Sequence, residues 1–274
     1  MPNTTRKDTR VLSGSLTVNP HLAQIAEQLN KGSNRSLRKR VLIFDVETTG
    51  LIPKKDPVTK APPPIETCPY IIQLGFAVYD ISLKVVVRQF STCINIPQSV
   101  IIEPFIVELT RVTRERCDAG MLIEDALTEF YNEYRRCDCI VAHNMDFDSE
   151  MISLEFHRLN QSILARCPLY LCLFNETYNR HNNIEMFCTM RSGKNLCNIM
   201  VQPPAKLDSL GQEILPKPYK KFPKLEELYF ALYQEMPGDL HDALVDSLVC
   251  LRCFIKMYLR SDVSSATFRG WLNL

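Results

Sequence analysis

Apolar positions recur along this 274-residue chain with two different periods. Val41-Leu42-Ile43-Phe44, followed by Val46, is a nearly continuous apolar run, the pattern of a strand buried on both faces. Tyr70–Asp80 and Lys84–Asn95 are apolar, β-branched runs joined by Ile81-Ser82-Leu83, and they read as an antiparallel hairpin. The connection contains no Gly or Asn, so its turn type stays open. Asp138–Ala142 and Met186–Met190 add two short strands. Helical spacing places Leu122, Ala126, Leu127, Phe130 and Tyr134 on one face of a helix over Leu122–Tyr134. A short helix is expected at 99–109, ahead of a Thr110–Thr113 turn, and another runs from the residues after His143 to Leu159. Pro223–Gln234 turns Leu225, Leu228, Tyr229 and Leu232 inward, and His241–Leu259 repeats Leu244, Leu248, Leu251 and Ile255 at the 3.6-residue period. Residues 160–184 read as irregular and polar. Leu51–Pro69, with six prolines, and Arg191–Phe222, rich in Lys and Pro, read as long inserts. A long loop of this kind in a compact domain is often a functional lid.

Charge divides the chain unevenly. Residues 1–40 hold 8 Lys/Arg against 2 Asp/Glu, a net +6, and the remainder is −5. The expected organisation is a basic N-terminal arm over 1–40, a domain over 41–260 and a C-terminal tail over 261–274. Residues 1–18 lack periodicity and read as disordered. Asn19-Pro20 then resembles an N-cap and N1 pair, with Leu22, Ile25, Ala26 and Leu29 at helical spacing and Gly32 as the stop. That helix is the candidate contact for a polymerase or other protein partner. The basic arm suits a phosphate-bearing partner, and equally a solvated tail. No apolar leader and no run of 18 apolar residues is present, which argues against a signal peptide and a membrane partner. Eleven cysteines without a leader read as reduced, mostly buried residues of an intracellular protein, cytoplasmic or nuclear. Cys250-Leu-Arg-Cys253 lacks the two further ligands a structural zinc needs.

Two acids end the first strand, and packing does not explain them. An isolated charge in a buried strand costs several kcal/mol or more. Asp45 and Glu47 stand at i and i+2, so they point into one space about 6–7 Å apart along the strand. Two like charges in one space need a cation between them, or one must hold a proton. Hard oxygen ligands suit Mg²⁺ or Mn²⁺. Acids recur at later strand-to-helix junctions, where α/β folds place ligand sites: Asp148 follows Asp138–Ala142, and Asp246 lies about a turn into the last helix. His241 precedes Asp246 by five residues, about 500° of helix, so the two meet only if His241 hangs in the lead-in loop. Pro237-Gly238-Asp239 favours such a loop.

FDVETTG, HNMDFD and HDALVD resemble, in order and spacing, the three signature segments of the DEDDh 3′–5′ exonucleases, the family of bacterial proofreading subunits. Leu109–Thr113, Phe187–Met190 and Lys224–Tyr229 match as supporting segments, so the resemblance covers about Val41–Leu259. It implies an RNase-H-like α/β fold: a mixed five-stranded sheet, three antiparallel strands first and then strands parallel to the first, with helices on both faces. It implies two metal ions, Mg²⁺ or Mn²⁺, on Asp45, Glu47, Asp148 and Asp246. Asp45 would be shared, Glu47 and Asp246 would serve the ion nearer the attacking water, and Asp148 the ion nearer the leaving 3′ oxygen. His241 would be the general base. Thr48, Thr49, Gly50 and Leu51 would hold the terminal nucleotide, with His143, Asn144 and Phe147 lining the pocket. The implied activity is 3′–5′ exonucleolysis of single-stranded or frayed nucleic acid to nucleoside 5′-monophosphates, DNA favoured. An RNA-trimming enzyme is the alternative, and a catalytically idle nucleic-acid-binding protein would be expected to have lost an acid. Both long inserts exceed a minimal member, and Asp242 beside His241 is an additional acid.

Overall fold

The computed structural model describes residues 40–159, 165, 168–207, 212–238 and 240–272. The arm helix and the disorder expected before residue 40 lie outside the described residues. Five strands form the central sheet: β1 (Arg40–Thr48), β2 (Ile71–Asp80), β3 (Val85–Cys93), β4 (Cys139–Ala142) and β5 (Glu185–Cys188), in the order β3-β2-β1-β4-β5. β1, β2 and β3 are mutually antiparallel, while β4 runs parallel to β1 and β5 parallel to β4. The β2–β3 turn is closed by the Asp80 carboxylate, which accepts hydrogen bonds from the Ser82 and Leu83 amides. An Asp side chain there does the work of a backbone turn bond, and Lys84 takes the left-handed position (φ 57°) without a glycine.

The helices are α1 (Pro104–Thr110), α2 (Arg114–Asp118), α3 (Ile123–Tyr134), α4 (Met145–Arg158), α5 (Glu176–His181), α6 (Thr189–Cys197), α7 (Leu225–Tyr233), α8 (Ala243–Met257) and α9 (Ser265–Trp271). Strand alternation divides β1 between two cores. Leu42, Phe44 and Val46 face the core built with α3 and α4, and Val41 and Ile43 face the one built with α7 and α8. Phe44 is wholly buried, its ring centroid 4.9 Å from that of Phe130. β2 is buried along its whole length, and apolar residues fill most of it, interrupted by Gln73 and Gly75.

Several elements differ from their sequence patterns. The helix expected at 99–109 starts at Pro104, because a residue preceding proline is pushed to extended backbone, as Glu103 is (φ −62°, ψ 143°). Leu122, expected on the buried face of α3, is its N-cap residue and 55% exposed. The strand expected at Met186–Met190 ends at Cys188, and Thr189 begins α6, so the insert expected from Arg191 opens with a helix. Residues 168–184 are not irregular and polar: a 3₁₀ turn at Pro168–Cys172 and α5 bury Tyr170, Leu173 and Tyr178 in the first core. Their apolar residues span too few turns to display a period. Leu232 is only half-buried. The segment 261–274, expected as a tail, carries α9, with Phe268 buried. Buried Arg252 holds it by donating to the Val263 carbonyl and the Ser265 hydroxyl.

Candidate active site

The carboxyl end of β1 carries Asp45 and Glu47 on the face that α8 covers. The β1–β4 ladder ends at Ile43–Val141. Beyond it the Val46 amide donates instead to the Asp148 carboxylate (3.2 Å), whose residue lies in the first turn of α4. This one bond keeps the backbone donor satisfied and brings a third acid to the strand end. Asp148 is 2% exposed. The fourth acid, Asp246, lies in the first turn of α8, and its carboxylate accepts from the His241 amide at 3.3 and 3.4 Å. His241 precedes the helix in left-handed backbone (φ 71°), and its side chain is exposed. The lead-in loop therefore resolves the five-residue spacing that a continuous helix could not. Ligand atoms of Glu47, His241 and Asp246 all lie within 4.8 Å of one another.

Two residues of β2 seat α8 at this level, and the sequence pattern did not single them out. Gly75 is paired with Asp45, and Gln73 with Glu47. A Cβ at residue 75 would lie 2.3 Å from the Ala243 carbonyl carbon, so the N-terminus of α8 rests directly on the β2 backbone. Buried Gln73 donates to the Asp242 carboxylate (2.8 Å) and accepts from the Ala243 amide (3.3 Å). Asp242 in turn caps α8 by accepting from the Leu244 and Val245 amides. The additional acid beside His241 is thus a helix cap locked to the sheet. Glycine and glutamine inside an apolar strand are the available signal: the first marks a close backbone approach, the second a buried polar group with a partner.

Electrostatics sets the state of the cluster. Asp45 is raised well above the usual carboxylate range, by burial first and then by Asp148, Asp246, Glu47 and Asp242. Each of these neighbouring acids opposes ionisation of Asp45. Burial, Asp246 and Asp242 lift Glu47 to about 8. Burial and Asp242 lift Asp246 to about 7, against the lowering effect of the His241 amide. Asp148 is raised by burial, while the Val46 amide pulls it down. Among the described residues no Lys or Arg forms an ion pair with any of the four. Four converging carboxylates without a protein cation, beside one imidazole, fit hard divalent ions.

The expected substrate residues divide into two groups. The Thr48 hydroxyl donates to the Gly50 carbonyl (2.7 Å), and Thr49 is tied to Tyr70 through its amide and its hydroxyl. These bonds hold the turn after β1 open beside the acids, with the Leu51 side chain 83% exposed. Asn144 is in left-handed backbone (φ 75°) at the start of α4, and Phe147 is half-buried against the first core. His143 is turned into the protein. Its Nδ1 pairs with the Thr189 hydroxyl (3.0 Å) and its Nε2 with the Pro223 carbonyl (3.1 Å). Burial lowers it to about 4, so it is a neutral strut that ties β4 to α6 and to the residues before α7. A cleft of about 560 Å³ opens beside His241, with Phe105, Leu109 and Met236 among its walls.

A β3-β2-β1-β4-β5 sheet with acids at the end of its central strand and at the starts of two helices is an RNase-H-like nuclease domain. The RNase_T family model, described as exonuclease, matches residues 42–254, and the chain belongs to that family. It is 31% identical over 131 residues to the PolC-type DNA polymerase III of Caldanaerobacter subterraneus subsp. tengcongensis, a match covering 48% of this chain and 8% of the polymerase. The nuclease domain of 3′hExo, a DEDDh family member bound to rAMP, superposes with a TM-score of 0.53 at 14% identity, over 82% of this chain and 94% of that one. E. coli Exonuclease I in complex with a 5cy-dT13 oligonucleotide gives 0.52 at 14% identity, over 86% of this chain and 43% of that one. The chain thus spans less than half of Exonuclease I and a small part of the polymerase, and these structures share its fold.

Proposed function

We propose that this protein is a divalent-metal-dependent 3′–5′ exonuclease that removes nucleoside 5′-monophosphates from a single-stranded or frayed 3′ end, with DNA favoured. The observation that carries the reading is the convergence of four carboxylates from β1, α4 and α8 with the exposed imidazole of His241. Asp45, Glu47, Asp148 and Asp246 would hold two ions, Mg²⁺ or Mn²⁺, with Asp45 shared. When bound, such ions neutralise the phosphoryl group and stabilise charge on the attacking and leaving oxygens.

The chain's own groups account for the rest. His241 takes a proton from the attacking water as its oxygen bonds to phosphorus. The bond from phosphorus to the 3′ oxygen of the preceding nucleotide breaks, and that oxygen is protonated from solvent. Thr48, Thr49, Gly50 and Leu51 hold the terminal nucleotide, with Asn144 and Phe147 on its other side. Selection for an end needs only a pocket closed beyond the free 3′-OH, so sequence dependence is low.

RNA trimming is the second reading, favoured by the rAMP bound to 3′hExo. A catalytically idle scaffold is disfavoured because all five positions keep their residue types. The described cysteines are all free thiols, consistent with an intracellular protein, cytoplasmic or nuclear. No described helix is long and apolar enough to cross a membrane. A contact between the N-terminal arm and a polymerase or other protein belongs to the same proposal.

The test uses matched 5′-labelled DNA and RNA oligonucleotides with Mn²⁺ or with EDTA. Metal-dependent shortening from the 3′ end is expected, and the faster of the two ladders identifies the sugar. Asp45→Asn, which keeps the side-chain volume, should lower the rate to about 1% or less with folding intact. Shortening that persists in EDTA or in Asp45→Asn would overturn the two-metal reading.

A further inference from the structure

The insert between α6 and α7 folds back as a two-stranded ribbon. β6 (Met200–Val201) pairs with β9 (Tyr219–Lys220), and β7 (Lys206–Leu207) pairs with β8 (Glu213–Ile214). The Lys221 amide closes its root on the Ile199 carbonyl (3.0 Å), and the Gln202 side chain bridges to the Pro216 carbonyl (2.8 Å). Charge is concentrated here. Residues 191–224 hold 7 Lys/Arg against 2 Asp/Glu, a net +5, whereas the rest of 41–274 holds 17 against 27, a net −10.

At the root these charges are engaged: Arg191 pairs with Asp146, Lys221 with Glu227 and Lys224 with Glu226. On the ribbon, Lys206 and Lys217 are exposed, and among the described residues Lys220 donates to the neutral Asn195 side-chain carbonyl (3.2 Å). Aromatic rings stand among them: Tyr219 is 53% exposed, and Phe222 is 45% exposed with the Lys194 ammonium 4.3 Å from its ring centroid. A two-stranded ribbon has no core of its own, so packing does not account for these rings.

The ribbon is anchored to the elements that carry the candidate active site. Its entry follows α6, whose Thr189 holds His143, five residues before Asp148. Its exit passes Pro223, whose carbonyl holds the other nitrogen of the same ring, into α7 and the loop to His241.

We propose that this ribbon is an accessory, sequence-independent surface for single-stranded nucleic acid, binding phosphates upstream of the terminal nucleotide and stacking bases on Tyr219. The chemistry is that of single-strand tracks elsewhere: cationic side chains along the backbone with interleaved aromatic faces. The proposal rests on the exonuclease reading for the direction of the strand.

The experiment measures binding by the full chain in EDTA, so that no hydrolysis is needed. Fluorescence anisotropy of labelled dT30 and dT6 is followed as a function of salt. Replacing Lys206, Lys217 and Lys220 by Gln should weaken dT30 binding and flatten its log–log salt slope by about 2, at about 0.7 per lost single-strand contact. Binding of dT6 and the melting temperature should stay at wild-type values. Arginine at the same three positions should keep the slope, and Tyr219→Ala should weaken dT30 about tenfold. An unchanged slope, or equal losses for dT6 and dT30, overturns the proposal. If the wild type shortens oligonucleotides with Mn²⁺ while the Gln variant binds dT30 normally, the ribbon assignment fails and the exonuclease reading stands. If the slope flattens as expected but no substrate is ever shortened, the reverse holds.

Discussion

Without a cation, the acid cluster should make this fold less stable as pH rises near neutrality, the opposite of ordinary salt-bridged carboxylates. Glu47 holds its proton up to about 8 in the folded chain against 4.5 as the reference value, and Asp246 up to about 7 against 3.8. A carboxyl raised on folding contributes stability that is complete below its unfolded value and is lost as pH rises through its folded value. Between pH 6.5 and 8.0 Glu47 alone spans about 1.5 units, or about 2 kcal/mol in the rigid limit. Solvent reaches the half-buried carboxylate, so about 1–2 kcal/mol is the working expectation. That corresponds to a fall in Tm of about 2–8 °C for a domain of this size. The window lies between two other sets of titrating groups, one of opposite and one of the same sign. His143, lowered to about 4, adds stability as pH rises toward the unfolded histidine value of ~6.5, and its contribution is complete there. Buried thiols such as Cys250, raised by desolvation, begin to act only above the unfolded thiol range of ~8.5. The assay is thermal melting in EDTA at pH 6.5, 7.25 and 8.0, repeated with Mn²⁺. Saturating ion at about 100 times its Kd should restore about 2.7 kcal/mol at pH 8. The Asp45→Asn, Asp246→Asn double variant should melt higher in EDTA, show a shallower pH slope because Glu47 keeps its burial but loses Asp246 as a neighbour, and respond little to Mn²⁺. A wild-type Tm that is flat or rising across the window, or a double variant with the same metal shift, refutes the reasoning.

Three further outcomes are expected. His241→Gln should lower the rate of nucleotide release by about 10²–10⁴-fold while the Mn²⁺ shift in Tm persists, and the acid limb of the pH–rate profile should disappear from the residual activity. A small loss with a lower Tm and an unchanged profile would make His241 a helix-lead residue only. Gly75→Ala, whose Cβ would meet the Ala243 backbone at 2.3 Å, should cost about 1–3 kcal/mol by melting and reduce activity by moving α8 with Asp246; a neutral result would mean α8 is not seated on β2. Deleting residues 1–39 should leave cleavage of a short oligonucleotide nearly intact while flattening the salt dependence of binding to a long one by about 0.7 per lost contact. An unchanged slope would assign the arm to a protein partner or to targeting.

By itself the sequence determined the chemistry of this protein more fully than its boundaries. Asp45 and Glu47 were legible because a buried strand does not tolerate two acids unless something balances them, and alternation placed them on one face. Asp148 and Asp246 were legible as acids at helix starts, and the resemblance joined all four to His241. The β2–β3 hairpin, α3, α7 and α8 were legible because each repeats its apolar period over enough residues to exceed chance. What tertiary structure decided lies where local pattern carries no information about the partner. Tyr170, Leu173 and Tyr178 are buried because a core elsewhere in the chain needs filling, not because their neighbours show a period. Asp242, read as an additional acid near the imidazole, became a helix cap through Gln73, a residue 169 positions away. His143, read as a pocket residue, spends both ring nitrogens on Thr189 and Pro223, at separations of 46 and 80 residues. The insert after α6, read only as Lys- and Pro-rich, acquires a direction when its two halves pair and its root is fixed beside the acids. Burial follows the periodicity of side chains along a local element, whereas hydrogen-bond partners and close backbone contacts depend on which elements meet, and only the folded chain fixes that.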